Sequence, residues 1–156
     1  MHISWAGIYS LVALIPGCLV FEYWLERFSK KRKSRLFYDV QRKGMSKLKK
    51  ISWQDFEKVC AGYFTSRGYS VKLTGLGGAD DGMDLIVSKR GHSAIVQCKH
   101  WKSKVGVVVI REMFGLMHAN NHQEVYVIAL SGFTKKAEEF AMGKPIHLIS
   151  GDSLLS

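Results

Sequence analysis

The sequence predicts an α/β domain preceded by a single transmembrane helix. Helix-period and strand-period patterns alternate from residue 51 onward, which is typical of an α/β domain. Two short apolar runs flank a polar break at Arg90 and Gly91, which indicates a β-hairpin. Residues 3–21 contain no charged side chain, and that length is close to the ~20 residues that a membrane-spanning helix needs.

Composition places the basic charge between these two parts. The chain of 156 residues has a net charge of +10, which points to anionic partners. Residues 29–50 hold ten Lys or Arg and one acid, whereas residues 51–156 hold twelve against ten acids. The three cysteines are widely spaced and odd in number. They therefore fit neither a disulfide framework nor a paired zinc-ligand pattern.

The N-terminal pattern predicts three segments. Residues 1–28 form the anchor, residues 29–50 a basic juxtamembrane linker and residues 51–156 the globular domain. Trp5 and Trp24 bracket the apolar run, as interfacial aromatic residues do. The basic cluster that follows keeps its side of the membrane cytoplasmic. We therefore expect a single-pass protein with its N-terminus outside and its domain in the cytoplasm.

Other interpretations of these segments remain open. A cleaved signal peptide normally begins with a basic region, and residues 1–4 have no fixed charge. A buried soluble helix would need apolar cover that nothing nearby in the sequence supplies. The linker fits an anionic lipid surface, DNA phosphates, or a stop signal without further function.

The first elements of the globular domain follow from local signals. Ser52 predicts an N-cap with Asp55 at the third helical position, and an apolar stripe at helical spacing follows. Gly68 ends this helix. Residues 69–73 alternate as a strand, and residues 74–82 form a loop rich in Gly and Asp.

The later elements complete the alternation. Residues 105–119 fit a strand by their β-branched residues and a helix by their apolar spacing. Residues 125–130 are a continuous apolar run that predicts a buried strand. Thr134 predicts the cap of a helix that lasts to about Met142, and a last strand covers residues 146–149. Residues 151–155 form at most a final turn.

The hairpin brings three polar side chains together. If Arg90 and Gly91 form the turn, Lys89 pairs with His92 and Asp84 lies opposite Gln97. Cβ atoms of directly opposed residues are about 5 Å apart. Lys99 shares the face of Gln97, whereas Cys98 points the other way.

This set of groups suits metal-assisted hydrolysis of a phosphodiester. Asp84 offers the hard oxygen ligand that Mg²⁺ prefers, and Gln97 or the Cys98 backbone carbonyl completes the shell. Lys99 is placed to orient water or to stabilise developing charge. An ordinary hairpin with a polar mouth is the alternative that spacing alone leaves open.

Several separated blocks resemble the Mrr family of restriction endonucleases. These blocks are Phe56-Glu57, Gly77-Gly78-Ala79-Asp80-Asp81-Gly82-Met83-Asp84-Leu85-Ile86, Gln97-Cys98-Lys99 and Gly132-Phe133-Thr134-Lys135-Lys136-Ala137. The family belongs to the PD-(D/E)xK nucleases and carries a Gln-x-Lys variant of that motif. Met83 replaces the Pro, and Gln97 replaces the acidic residue, of the superfamily pattern.

The resemblance implies a fold, an activity and a set of roles. The fold is the restriction-endonuclease-like αβββαβ core, a mixed central sheet flanked by helices, with a helix over residues 105–119. The catalytic residues are Asp84, Gln97, Lys99 and Glu57. Asp84, Gln97, Glu57 and the Cys98 carbonyl are the candidate ligands of Mg²⁺ or Mn²⁺. Asp80 matches the family's spacing as a secondary site residue.

We therefore expect a membrane-anchored, metal-dependent DNA endonuclease with a role in restriction or defence. DNA and the membrane are its expected partners, and a second copy of the chain is a further candidate. A DNA-binding module without catalysis is the first alternative, and a membrane scaffold with a relic nuclease fold is the second. Retention of Asp84, Gln97 and Lys99 together argues against simple binding, because a carboxylate facing a phosphate is unfavourable for binding alone.

Overall fold

The computed structural model describes residues 5–74 and 82–156. The helices are α1 (Trp5–Lys43), α2 (Met45–Leu48), α3 (Trp53–Ser66), α4 (Val107–Ala119), α5 (Lys135–Ala141) and α6 (Gly151–Leu155). The strands are β1 (Ser70–Leu73), β2 (Leu85–Lys89), β3 (His92–Lys99), β4 (Glu124–Ala129) and β5 (Ile146–Ser150). The chain divides into two compact units, Met1–Arg32 and Lys33–Ser156.

The first unit does not support the predicted transmembrane helix. In the part of the chain that the structure describes, no helix is long and apolar enough to cross a membrane. Helix α1 does not end after the apolar run but continues through the basic residues to Lys43. Residues 5–28 of the predicted anchor and residues 29–43 of the predicted linker are thus parts of one helix.

The second unit is built on a mixed sheet of five strands in the order β1-β2-β3-β4-β5. β1, β2 and β3 pair antiparallel, whereas β3, β4 and β5 pair parallel. This arrangement confirms the predicted αβββαβ core with a mixed central sheet. α6 is a short helix where the sequence predicted at most a turn.

Two apolar clusters cover the two faces of the sheet. One cluster joins α3 to the sheet through residues such as Phe56, Phe64 and Leu85. The other joins α4 and α5 to the opposite face through residues such as Ile95 and Met113. Ala94 and Val96 belong to the first cluster while Ile95 belongs to the second, as the alternation of side chains along a strand requires.

Local capping explains where two helices begin. The Ser52 hydroxyl accepts a hydrogen bond from the Asp55 backbone N–H at 3.1 Å, which confirms the predicted cap of α3. The Thr134 hydroxyl accepts one from Ala137 N–H at 3.4 Å and caps α5 in the same way. Each cap satisfies one of the backbone donors that the first turn of a helix leaves unpaired.

Residues 107–119 form a helix despite their β-branched start. Ile110, Met113 and Met117 are buried at helical spacing against the sheet, so packing of this stripe outweighs the strand preference of the valines. This outcome agrees with the helix that the resemblance implied. It also leaves the opposite face of α4 exposed beside the end of β3.

The second unit begins earlier than the predicted domain boundary at residue 51. Phe37 and Val40 of α1 and Leu48 of α2 are buried in the cluster around α3. A Cβ atom on Gly62 of α3 would lie 2.6 Å from the Phe37 Cβ and 2.7 Å from the Lys33 carbonyl oxygen. Because Gly62 has no side chain, α1 packs closely on α3, and the last part of the predicted linker belongs to the core.

Candidate metal-dependent nuclease site

The hairpin of β2 and β3 has the predicted register. Arg90 and Gly91 have φ angles of 51° and 83°, as the two central residues of a type I′ turn require. Lys89 pairs with His92, and the ladder continues to Leu85 opposite Val96. The Asp84 backbone N–H donates to the Val96 carbonyl at 3.0 Å, so the pairing extends to the open end of the hairpin.

Two amide groups hold the Asp84 carboxylate at this open end. Its Oδ2 atom accepts a hydrogen bond from Gln97 Nε2 at 2.5 Å and one from the Cys98 backbone N–H at 2.6 Å. Burial raises the pKa of Asp84, although the Cys98 N–H, the Lys99 charge and the Gln97 amide act in the opposite direction. A nearby cation would offset the desolvation of the ionised carboxylate.

Gln97 and Lys99 share one face of β3, as the alternation predicted, and this is the face that α4 covers. Gln97 is buried, with 6% of its surface exposed, and a Cβ atom on Gly82 would lie 3.4 Å from its Oε1. The Lys99 Nζ lies 5.0 Å from the centre of the Trp101 ring, a favourable cation–π position. Gln97 thus contacts the Asp84 carboxylate through its amide nitrogen, and the charge of half-buried Lys99 acts on the same carboxylate.

Glu57 approaches the same carboxylate from α3. It is 8% exposed, and burial followed by the charge of Asp84 raises its pKa to about 7. The structure thus brings Glu57 close enough to Asp84 for the two carboxyl groups to repel each other. Cys98 lies on this side of the sheet as well, and burial raises the pKa of its thiol well above the usual value.

The donor set fits a hard divalent cation. Asp84 and Glu57 supply carboxylate oxygens and Gln97 an amide oxygen, which are the ligands that Mg²⁺ prefers. No group of three His, Cys, Asp or Glu side chains with metal-binding spacing occurs within the described ranges. The described contact between Cys98 and Asp84 is made by the Cys98 N–H, so the Cys98 carbonyl stays a predicted ligand. Asp80 lies outside the described residues.

A cleft of about 560 Å³ opens beside the hairpin end. Its described lining residues are Gly82, Gln97, Lys99, Arg111, Glu112, Met113, Gly115 and Leu116. Gln97 and Lys99 line the cleft, whereas Asp84 is not among its described lining residues and contacts Gln97. Sequence reasoning missed Arg111 and Glu112, because nothing in the local pattern indicates that the exposed face of α4 meets the end of β3.

Residues 48–156 match the sequence profile of Mrr_cat, described as a restriction endonuclease. This match covers more than half of the chain. The chain belongs to the Mrr_cat restriction endonuclease family. No curated protein matches it.

Solved structures similar to this Mrr_cat chain include the DNA modification-dependent restriction endonuclease AspBHI, with a TM-score of 0.52 and a sequence identity of 14%. The match covers 81% of this chain and 34% of AspBHI. The protein of unknown function AF1548 has a TM-score of 0.48 and 15% identity over 58% of this chain and 54% of its own. The MspJI restriction endonuclease in complex with a 27-mer oligonucleotide has a TM-score of 0.42 and 19% identity over 64% and 25%. The Mrr_cat chain spans about a third of AspBHI, and this likeness supports a shared fold.

The raised pKa of Glu57 predicts a pH-dependent stability of the metal-free protein. The pKa of Glu57 moves from 4.5 to about 7 on folding. Its contribution to the free energy of unfolding is therefore fully present below pH 4.5 and is lost as the pH rises through 7. Glu57→Gln removes this titration. We therefore expect the free energy of unfolding of the wild type, relative to Glu57→Gln, to fall between pH 5 and pH 8.

Chemical denaturation of both proteins in EDTA at these two pH values measures the effect. A difference between wild type and Glu57→Gln that stays constant with pH would contradict the burial of an ionisable carboxyl at this position.

Proposed function

We propose that this protein is an endonuclease that hydrolyses phosphodiester bonds in DNA with Mg²⁺ or Mn²⁺, in a restriction or defence role. The observation that carries the proposal is the arrangement at the hairpin end. A partly buried Asp84 carboxylate is held by the Gln97 amide, and Lys99 lies on the same face and lines the cleft. Membership of a restriction endonuclease family supports DNA as the substrate.

The proposed metal ligands are the Asp84 and Glu57 carboxylates, the Gln97 amide oxygen and the Cys98 carbonyl. A bound Mg²⁺ would supply a water of lowered pKa and would offset negative charge on the scissile phosphate. Repulsion between Asp84 and Glu57 supports a cation near both, since a positive charge favours ionisation of the two groups.

Lys99 is the proposed electrostatic catalyst. Lys99 lines the cleft together with Gln97, and its Nζ atom lies 5.0 Å from the centre of the Trp101 ring. An ammonium group in this position donates hydrogen bonds to a phosphate oxygen or to the attacking water. It therefore stabilises charge that develops in the transition state, where such interactions have their largest effect on rate.

Incubation of the purified protein with supercoiled plasmid tests the proposal. We expect nicked and linear products with Mg²⁺ or Mn²⁺ and intact plasmid in EDTA. Methylated and unmethylated plasmids should both be used, so that modification preference does not hide activity. Binding without cleavage under all these conditions would favour the module that only binds DNA.

Location of the protein at a membrane is a separate proposal. The uncharged residues 3–21 followed by the basic cluster support it, with the second unit in the cytoplasm. We expect the full-length chain in the membrane fraction and a chain of residues 33–156 in the supernatant. Recovery of the full-length chain in the supernatant, or digestion of its domain by protease outside the cell, would contradict this location.

A further inference from the structure

The exposed face of α4 lines the same cleft as the proposed catalytic residues. Arg111, Glu112 and Gly115 are exposed on this helix and line the cleft. Met113, between Glu112 and Gly115, is buried in the core, and this burial fixes the orientation of α4 with the exposed face toward the cleft. A ligand that reaches Lys99 through the cleft would therefore contact α4.

Two cations near this face share one aromatic ring. The Arg111 Cζ lies 5.3 Å and the Lys144 Nζ 4.5 Å from the centre of the Phe140 ring. Neither side chain forms an ion pair with a carboxylate among the residues that the structure describes. An anion could therefore bind both cations without first breaking an ion pair among the described residues.

Gly115 leaves the cleft surface of α4 without a side chain. A Cβ atom added there would meet no atom of residues 5–74 or 82–156 within 4 Å, and its backbone is not in the left-handed region. Glycine inside a helix is less favourable than alanine. Neither packing against the described residues nor backbone conformation requires glycine at this position. Close approach of a ligand accounts for the missing side chain.

We propose that Lys99, Arg111 and Lys144 form a phosphate track for one strand of duplex DNA, and that the strand approaches α4 most closely at Gly115. This inference rests on the proposed nuclease function and names the residues that seat its substrate. Duplex DNA fits the surface because its backbone presents phosphates in a regular series, which a row of separate cations can match. Among the described lining residues of the cleft, Glu112 is the carboxylate and Lys99 and Arg111 are the cations.

The role of the cations in phosphate binding is tested by measuring how the affinity of the full chain for duplex DNA depends on salt in EDTA. Each lost phosphate contact lowers the slope of log affinity against log salt by about 0.9. We expect that decrease for Arg111→Ala and for Lys144→Ala, and little change for Arg111→Lys, which keeps the charge.

Arg67→Ala is the matched control for the salt-slope measurement. The Arg67 Cζ lies 3.6 Å from the centre of the Tyr63 ring, so it too is an exposed arginine on an aromatic ring. Lys89 Nζ donates to the Arg67 carbonyl at 2.7 Å, which places Arg67 at the turn end of the hairpin, away from the cleft. Its slope should equal that of the wild type.

Larger side chains at position 115 test whether a DNA strand approaches α4 closely at this position. We expect Gly115→Leu to weaken duplex binding more than tenfold and Gly115→Ala to weaken it less, with melting temperatures no lower than that of the wild type. Ala119→Leu adds bulk to an exposed position of the same helix outside the cleft, so its binding should stay unchanged. Full affinity of Gly115→Leu would overturn the close approach at this glycine.

The results for the track and for the nuclease proposal are separable. If the wild type cleaves DNA while Arg111→Ala and Lys144→Ala keep its salt slope, the track is wrong and the nuclease proposal stands. If the wild type binds without cleaving and both slopes fall, the track stands and the nuclease proposal fails. Absence of duplex binding by the wild type at low salt would overturn both.

Discussion

Asp84→Asn is expected to reduce Mg²⁺-dependent cleavage of DNA at least about 10²-fold, because it removes the negative charge proposed to hold the metal. The substitution keeps the size of the side chain. The fold should therefore persist, although the new amide must rearrange beside the Gln97 and Cys98 donors. Metal-free binding of DNA should hold or tighten, since repulsion of the phosphate is relieved.

Lys99→Ala should lower the cleavage rate by about 10²–10³-fold, as loss of a group that stabilises transition-state charge does. Unlike Asp84→Asn, it should also weaken metal-free DNA binding, because a favourable phosphate contact is lost. Lys89→Ala is the matched control, since the Lys89 Nζ lies 5.1 Å from the centre of the Tyr69 ring at the other end of the hairpin. Glu57→Gln should have a milder effect than Asp84→Asn, because water or a neighbouring ligand can partly replace it.

Cleavage rates and metal-free affinities for these variants, with circular dichroism as the control for folding, check both predictions. Full activity of Asp84→Asn would remove the metal assignment, and wild-type activity of Lys99→Ala would remove its proposed role.

Phe37→Ala is expected to destabilise the second unit by about 3–5 kcal/mol, the usual cost of truncating a buried phenylalanine. Phe37 is 1% exposed and contacts the Tyr63 ring edge-on, with 6.1 Å between the ring centres. Its Cβ atom also lies against Gly62, so neighbouring atoms have little freedom to fill the resulting cavity. Chemical denaturation of the full-length protein measures the change.

Tyr38→Ala serves as the control for Phe37→Ala, because Tyr38 is the next residue of the same helix and is 54% exposed. Its effect should be much smaller. A loss of less than 1 kcal/mol for Phe37→Ala would show that the end of α1 does not belong to the core.

The sequence was sufficient to predict the hairpin and its polar end. A type I′ turn at Arg90 and Gly91 sets the register, and the two-residue period of a strand then places every other side chain. Asp84, Gln97 and Lys99 were therefore predictable as neighbours. Glu57 was predictable only through the family resemblance, since no local rule brings a residue of α3 to the end of a hairpin.

Two features depend on packing between distant segments. Phe37 and Val40 lie among many basic residues, so composition indicated a basic juxtamembrane linker although both side chains are buried. Their spacing of three residues on a helix is the signal that could have revealed a buried face. The cleft wall on α4 had no comparable signal, because the positions of Arg111 and Gly115 relative to Lys99 are set by how α4 packs on the sheet.

The central claim is that Asp84 holds the divalent cation used for cleavage. Titration calorimetry of Mn²⁺ into the wild type and Asp84→Asn tests it most directly, because it does not depend on finding a preferred DNA sequence. The wild type should bind Mn²⁺ at least about tenfold more tightly than Asp84→Asn, the usual lower bound for loss of a group that supports a metal site. Equal affinity of the two proteins, or no binding by either, would contradict the claim.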